Sequence, residues 1–191
     1  MEESVFKKIV NLHSIPAFRE IDVYEGVKLR PLASSDATRI LEILAADSSI
    51  RRNVSVASQF HMAKDISKEI EKYRKDKGLI RYTILEGDNP IGLVSFWRDD
   101  GFWGKPNIND YGFGYFLDPS KRGKGIVTNA LQRLIDIAKQ NVYVRQFVAF
   151  CSDNNNESIA ILIKLGFKPT NKTFSEPNNG WIERKYVKLV A

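Results

Sequence analysis

Apolar and polar positions change period several times along the chain, and each change marks an element. "VKLRPL" (27–32) alternates and predicts a first strand. "SSDATRILEILAA" opens on a capping residue and sets Ile40, Leu41 and Leu44 at helical spacing. Residues 46–60 hold no clear period and read as a long connection. "MAKDISKEIEKYRKDKG" (62–78) is a polar helix with a narrow stripe of Ile66, Ile70 and Tyr73, stopped at Gly78. "LIRYTILEGDNPIGLVSFWR" then predicts two strands about an "EGDNP" turn. After a loop at 99–109, "DYGFGYFLDP" (110–119) predicts a third strand with Gly112 and Gly114 inside it. Glycines within a strand point to a bulge or to close approach of a ligand or another chain. Val127, Leu131, Leu134, Ile135 and Ala138 give the buried stripe of a helix from about 125 to 139. "VRQFVAFC" (144–151) is a strand, and "NNNESIAILIKLG" is a capped helix ended by Gly166. "GWIERKYVKLV" is a last strand, with a hairpin partner near 168–175.

This order predicts one α/β (α+β) domain with a mixed sheet. The strand–helix–strand unit at 110–151 calls for a parallel pair joined by a crossover helix. Residues 1–26 read as an N-terminal extension with a linker around Pro16, and 27–191 as the domain. The 191 residues are 43% hydrophobic and 27% charged, ordinary for a folded domain. No apolar run reaches the length of a membrane span, and "MEESVFKKIVNLHS" does not resemble a signal peptide. A single cysteine, Cys151, excludes an internal disulfide framework. The reading is a cytoplasmic monomer or homodimer, in which the Asn-x-Ser/Thr triplets at Asn53, Asn156 and Asn171 are chance matches. His13 and His61 have no metal-ligand spacing, so no metal is expected.

Charge changes the picture. The net charge is +6, yet residues 1–118 carry 17 Lys+Arg against 18 Asp+Glu, and residues 119–191 carry 12 against 5. The positive excess follows "SKRGKGIVTNA" (120–130), a basic glycine loop between a strand and a helix. Such a loop aims backbone N–H groups and a helix dipole at an anion. It lacks the Ser or Thr of a Walker loop and the third glycine of a Rossmann turn, since position 128 is Thr. No RNA-binding module is visible.

"GYFLDPSKRGKGIVTNAL" followed by "NNNESIAILIKLGF" resembles the GNAT superfamily of acyl-CoA-dependent N-acetyltransferases, in its ribosomal-protein N-terminal acetyltransferase-like branch. The family's phosphate loop, R/Q-x-x-G-x-G/A, is similar to Arg122-Gly123-Lys124-Gly125-Ile126-Val127, with Val127 where a small residue is usual. A second motif is matched by Asn155, Ser158, Leu165, Gly166 and Phe167. The resemblance runs from about residue 27 to 190. It implies a mostly antiparallel sheet flanked by helices, with a splayed parallel strand pair at an acyl-CoA site. It also implies acetyl-CoA as co-substrate. The amides of 123–128, Thr128 included, would take the pyrophosphate; Lys121, Arg122 and Lys124 would meet the remaining charge. Tyr115, Phe116 and Leu117 would pair with the pantetheine arm, which would explain the neighbouring glycines. Asn155 would bond the arm or cap its helix.

The implied reaction is direct attack of a primary amine, on a protein N-terminus or a small molecule, on the thioester. Leu162 stands where many members have a tyrosine, and the branch this chain resembles gives the role of proton donor to the leaving thiolate to the serine matched by Ser158; the alternative is that Ser158 caps or packs the helix start. The branch's usual Glu is replaced by Gly112. Asp110 and Glu183 remain as general-base candidates. Cys151 reads as a buried apolar residue rather than a nucleophile. Trp97, Phe102 and Trp103, with Asp99 and Asp100, could form a surface for a cationic substrate. Two alternatives stay open: a GNAT-fold CoA-binding module with weak or no catalysis, and a basic nucleic-acid-associated protein.

Overall fold

The computed structural model describes residues 11–99, 107–175 and 182–190. Asp100, Phe102 and Trp103 lie outside the described residues. The sheet has eight strands: β1 (Ile21–Tyr24), β2 (Val27–Pro31), β3 (Leu79–Glu86), β4 (Asn89–Asp99), β5 (Asn107–Leu117), β6 (Gln146–Ser152), β7 (Lys168–Ser175) and β8 (Ile182–Leu189). Their spatial order is β1-β2-β3-β4-β5-β6-β8-β7. Every neighbouring pair is antiparallel except β5 and β6, which run parallel. The crossover between them is α5 (Ile126–Asn141).

Alternation along the strands divides the core in two. Ile80, Tyr82, Val94, Phe96, Tyr111, Phe113 and Leu117 face one side, against α5 and α6 (Asn156–Lys164). The stripe of α5 closes this layer with Ile126, Val127, Leu131, Leu134 and Ile135. Each such aliphatic side chain contributes on the order of 1.5–3 kcal/mol by leaving water. Leu93 and Phe116 face the other side, against α1 (Ala37–Ala46), α2 (Ser48–Asn53), α3 (Ser55–Ser58) and α4 (Ala63–Lys75). A polar layer interrupts this second face: Glu69 of α4 accepts from Arg81 Nε at 2.9 Å, and Arg81 Nη1 donates to Ser95 Oγ at 2.6 Å.

Two segments differ from the sequence expectation. The connection at 46–60 contains α2 and α3, too short to show a period, which bury Ile50, Val56 and Ala57. Residues 11–24, read as part of an extension, pack into the domain. Leu12, Phe18 and Ile21 are buried in the main core, and β1 pairs with β2. A four-residue strand is too short for its alternation to be read.

Candidate active site

The parallel pair is short. Asp110, Tyr111 and Gly112 pair with Gln146, Phe147 and Val148, and the pairing stops there. Beyond that point, among the described residues, β5 pairs in the sheet only with β4, through Leu117↔Gly92. The second edge of residues 113–117 is open. A cleft of about 800 Å³ lies along this edge, within the range of small-molecule sites. Its lining includes Phe113–Leu117 of β5, Arg122, Gly123 and Gly125–Thr128 of the loop, Ala149–Cys151 of β6 and Asn155 and Ser158 of α6. A second stretch of wall is built by α2 and α3 from Ser49 to Gln59, with Lys72, Arg81, Trp97 and Arg98.

At one end of the cleft, Gly123 and Gly125 have φ of +77° and +74°, where a side chain is strained. Gly125 is the N-cap of α5 and no side chain caps it. The first backbone bond into the helix is Asn129 N–H to Gly125 O, 3.0 Å. The amides of Ile126, Val127 and Thr128 therefore have no partner inside the helix, with the positive end of its dipole behind them. Val127 itself is 6% exposed and belongs to the core. It also borders the cleft, so the irregular letter of the loop serves the core and the cleft wall together.

The cations of the loop are placed differently from expectation. Lys121 pairs with Glu86. Arg122 donates to Asp47 Oδ2 at 2.7 Å and lies 3.8 Å from Glu157. It ties the loop to the α1–α2 junction and to α6. Asp47 is held below the usual carboxylate range by the Ser49 hydrogen bond and by Arg122, against a desolvation cost. Lys124 is exposed and is not among the cleft-lining residues. The loop entry is fixed by Asp118, whose Oδ1 accepts from Ser120 N and Oγ at 2.9 and 2.7 Å. Asp118 also pairs with Arg39 of α1.

Of the acid–base candidates, Ser158 and Glu183 line the cleft and Asp110 does not. Asp110 is 1% exposed. It accepts from Arg145 Nε and Nη2 at 2.8 and 2.5 Å and from Gln146 Nε2 at 2.7 Å. These three bonds hold it in a buried structural clamp at the closed end of the parallel pair, off the cleft lining, so it is not carried forward as a base. Glu183 sits opposite Ser152 in the β6–β8 ladder. Asn155 is the N-cap of α6, its Oδ1 accepting from Ser158 N at 3.2 Å. That leaves the carboxamide NH₂ as the group able to face a ligand. Leu162 is buried in the core.

The reading of Gly112 is also corrected. A β-carbon at Gly112 would meet the Trp97 indole at 2.5 Å, and one at Gly114 would meet it at 3.4 Å. Gly112 makes room for the tryptophan that walls the cleft, whereas a β-carbon at Gly114 would make an ordinary contact with the same ring, so the tryptophan accounts for Gly112 alone. Sequence reasoning also missed the Tyr115 hydroxyl, which lies 2.6 Å from Ser158 Oγ. Burial raises the pKa of this phenol, with Ser158 pulling the other way. Cys151 lines the cleft as well, its thiol pushed up to about 11 chiefly by burial.

Comparison with known proteins agrees with this geometry. The acetyltransferase (GNAT) domain matches residues 27–168. A ribosomal-protein-serine acetyltransferase from Escherichia coli is 35% identical over 86 residues, 45% of this chain and 45% of that protein. The match thus spans less than half of that relative's length. A probable N-acetyltransferase from Bacillus subtilis is 26% identical over 148 residues, 74% of this chain and 80% of its own length. Among solved structures, a ribosomal-protein α-N-acetyltransferase in complex with coenzyme A superimposes with a TM-score of 0.75 at 18% identity. It covers 90% of this chain and 98% of that one. A microcin self-immunity acetyltransferase in complex with acetyl-CoA and AMP gives 0.73 at 23% identity, covering 88% and 94%.

Proposed function

Because the chain belongs to the acetyltransferase (GNAT) family, we propose that it transfers an acetyl group from acetyl-CoA to a primary amine by direct attack in a ternary complex. The acceptor class we infer is the α-amine of a protein N-terminus. The observation that carries the cofactor half is the continuity of the open β5 edge with the uncapped N-terminus of α5. An elongated ligand with amide groups at its centre and a diphosphate at one end suits both features. Bound acetyl-CoA would supply the thioester that a neutral amine attacks, its sulfur leaving with the electron pair.

The chain's own residues divide the work. The amides of 123–128 hold the diphosphate, and the strand edge at Tyr115–Leu117 holds the arm. Arg122 keeps the loop in place and offers its remaining N–H groups to the phosphates. Asn155 offers its NH₂ to the arm. Ser158 meets the departing sulfur with its hydroxyl. Glu183 takes the proton from the amine, directly or through water. An α-amine has a pKa near 8, so a substantial neutral fraction exists without a strong base. The α-amine acceptor is favoured by the named activities of the relatives. The α2–α3 wall and Trp97 would select among acceptors.

Two measurements test this reading. CoA at millimolar concentration should raise the melting temperature, and Gly125→Val should abolish that shift by filling the space before the helix amides. No shift in the wild-type protein would overturn the cofactor assignment. Peptides beginning with Ser or Ala should then be acetylated at the α-amine, read by mass spectrometry. Binding of CoA without turnover of any peptide, polyamine or aminoglycoside would favour a CoA-binding module instead.

A further inference from the structure

Tyr115 and Ser158 stand 43 residues apart in sequence, yet their hydroxyl oxygens are 2.6 Å apart on the cleft wall. Tyr115 reaches this point because odd positions of β5 face α5 and α6, and Ser158 lies in the first turn of α6. We propose that Tyr115 is a positioning residue whose hydroxyl donates to Ser158 Oγ and thereby turns the Ser158 proton into the cleft, toward the departing sulfur. This rests on the reading of Ser158 as the group that meets the leaving thiolate.

Relative acidity favours Tyr115 as the donor, since a phenol gives up its proton to a hydrogen bond more readily than an aliphatic hydroxyl does. Among the described residues, the Tyr115 hydroxyl has no other hydrogen-bond partner. If Ser158 were the donor, its proton would be spent on the phenol and none would be offered to the cleft. With Tyr115 as donor, the phenol is satisfied and the Ser158 proton is released for the cleft. The Ser158 side chain is also within hydrogen-bonding reach of Cys151 and lowers the thiol's pKa against its burial, but a neutral thiol sulfur is a weak acceptor and competes poorly for that proton. Its own proton goes to the carbonyls of Ser152 and Asn155, at 3.5 and 3.8 Å. Burial keeps Tyr115 neutral, so the phenol orients and does not ionise. No proton changes owner between the two hydroxyls. Ser158 stabilises the sulfur's developing charge by a hydrogen bond, and the C–S electron pair leaves with the sulfur.

The probe is CoA itself, whose thiol can be titrated in the binary complex by thiolate absorbance. The titratable neighbours of Ser158 are Tyr115 on β5, Cys151 on β6, Glu157 on α6 and Glu183 on β8. Cys151, at about 11, ionises above the useful window. A hydrogen bond to the thiolate lowers the thiol pKa, so Ser158→Ala should raise it by about one unit. Tyr115→Phe should raise it in the same direction, and the double variant should match Ser158→Ala alone, because the phenol acts only through the serine. Ser158→Thr keeps a hydroxyl and should keep its sensitivity to Tyr115→Phe. Melting temperature and CoA affinity check that each variant is folded. With an N-terminal seryl peptide, Tyr115→Phe should lower kcat roughly tenfold at unchanged KM for acetyl-CoA. An unchanged thiol pKa in Tyr115→Phe, or additive shifts in the double variant, overturns the positioning role. An unchanged pKa in Ser158→Ala overturns the reading of Ser158 beneath it.

Discussion

Gly112→Ala should destabilise this protein through Trp97 and through nothing else. The added β-carbon would lie 2.5, 2.6 and 2.7 Å from Cε2, Cζ2 and Nε1 of the indole. Carbon atoms rest at about 3.5–4.0 Å, so the ring must retreat by roughly 1 Å. Overpacking of this size costs about 1–3 kcal/mol. In a chain of 191 residues that corresponds to a fall in melting temperature of roughly 2–12 °C. Gly112 has no positive φ, so the backbone itself accepts alanine. Gly114→Ala is the internal control: its β-carbon would sit 3.4 Å from the same ring, and the loss should stay below about 1 kcal/mol. Thermal denaturation followed by circular dichroism reads both. The decisive comparison uses Trp97→Ala as background, where Gly112→Ala should cost nothing further. A loss that persists without the indole would refute the packing argument and return the glycine to some other role. Trp97 walls the cleft, so the retreat should also alter acceptor selection.

Asp110→Ala should cost about 1–3 kcal/mol by stranding Gln146 and part of Arg145, while any acetyl transfer per folded molecule stays unchanged; a selective loss of turnover would reinstate Asp110 as a base. Asp47 is depressed below its ordinary value by Ser49 and Arg122. Its contribution is therefore present above the unfolded pKa of about 4 and is lost as pH falls through the lower folded value. Acid unfolding of Asp47→Asn should accordingly show a shallower pH dependence below about pH 4 than the wild type, and parallel curves would count against the Arg122 tie. Cys151, with a thiol at about 11, should be thiolate in only roughly one molecule in a thousand at pH 8. Iodoacetamide should modify it slowly, and Cys151→Ala should retain activity; rapid alkylation or a dead variant would revive an acyl-cysteine route.

What was legible in the sequence was local. The glycines of "RGKG" declare positive φ before a helix, and the apolar stripe of α5 declares which face is buried. "NNNES" declares a cap. These features need only a few neighbouring residues, and together they located the glycine loop and helix start that form one end of the cleft. The strands β2 to β8, in chain order, followed from strand periods and turn signals in the same way, and the parallel β5–β6 pair from the helix between them; the place of β8 between β6 and β7 did not. Short elements escaped: β1 has four residues and α3 has four, fewer than a period needs. Asp110 escaped too, since a carboxylate at a strand start looks the same whether it faces water or Arg145.

The sequence by itself determined the fold class, the basic glycine loop and the side of α5 that packs, because hydrophobic period and backbone torsion are properties of adjacent residues. Only the tertiary structure decided which side chains share the cleft. The β4–β5 pairing laid Trp97 over Gly112, and α6 returned Ser158 to the hydroxyl of Tyr115. Two of the loop's cations, Lys121 and Arg122, were likewise assigned to Glu86, Asp47 and Glu157, while Lys124 stayed exposed. Contacts of this kind depend on strand register and helix placement across dozens of residues, and no local pattern encodes them.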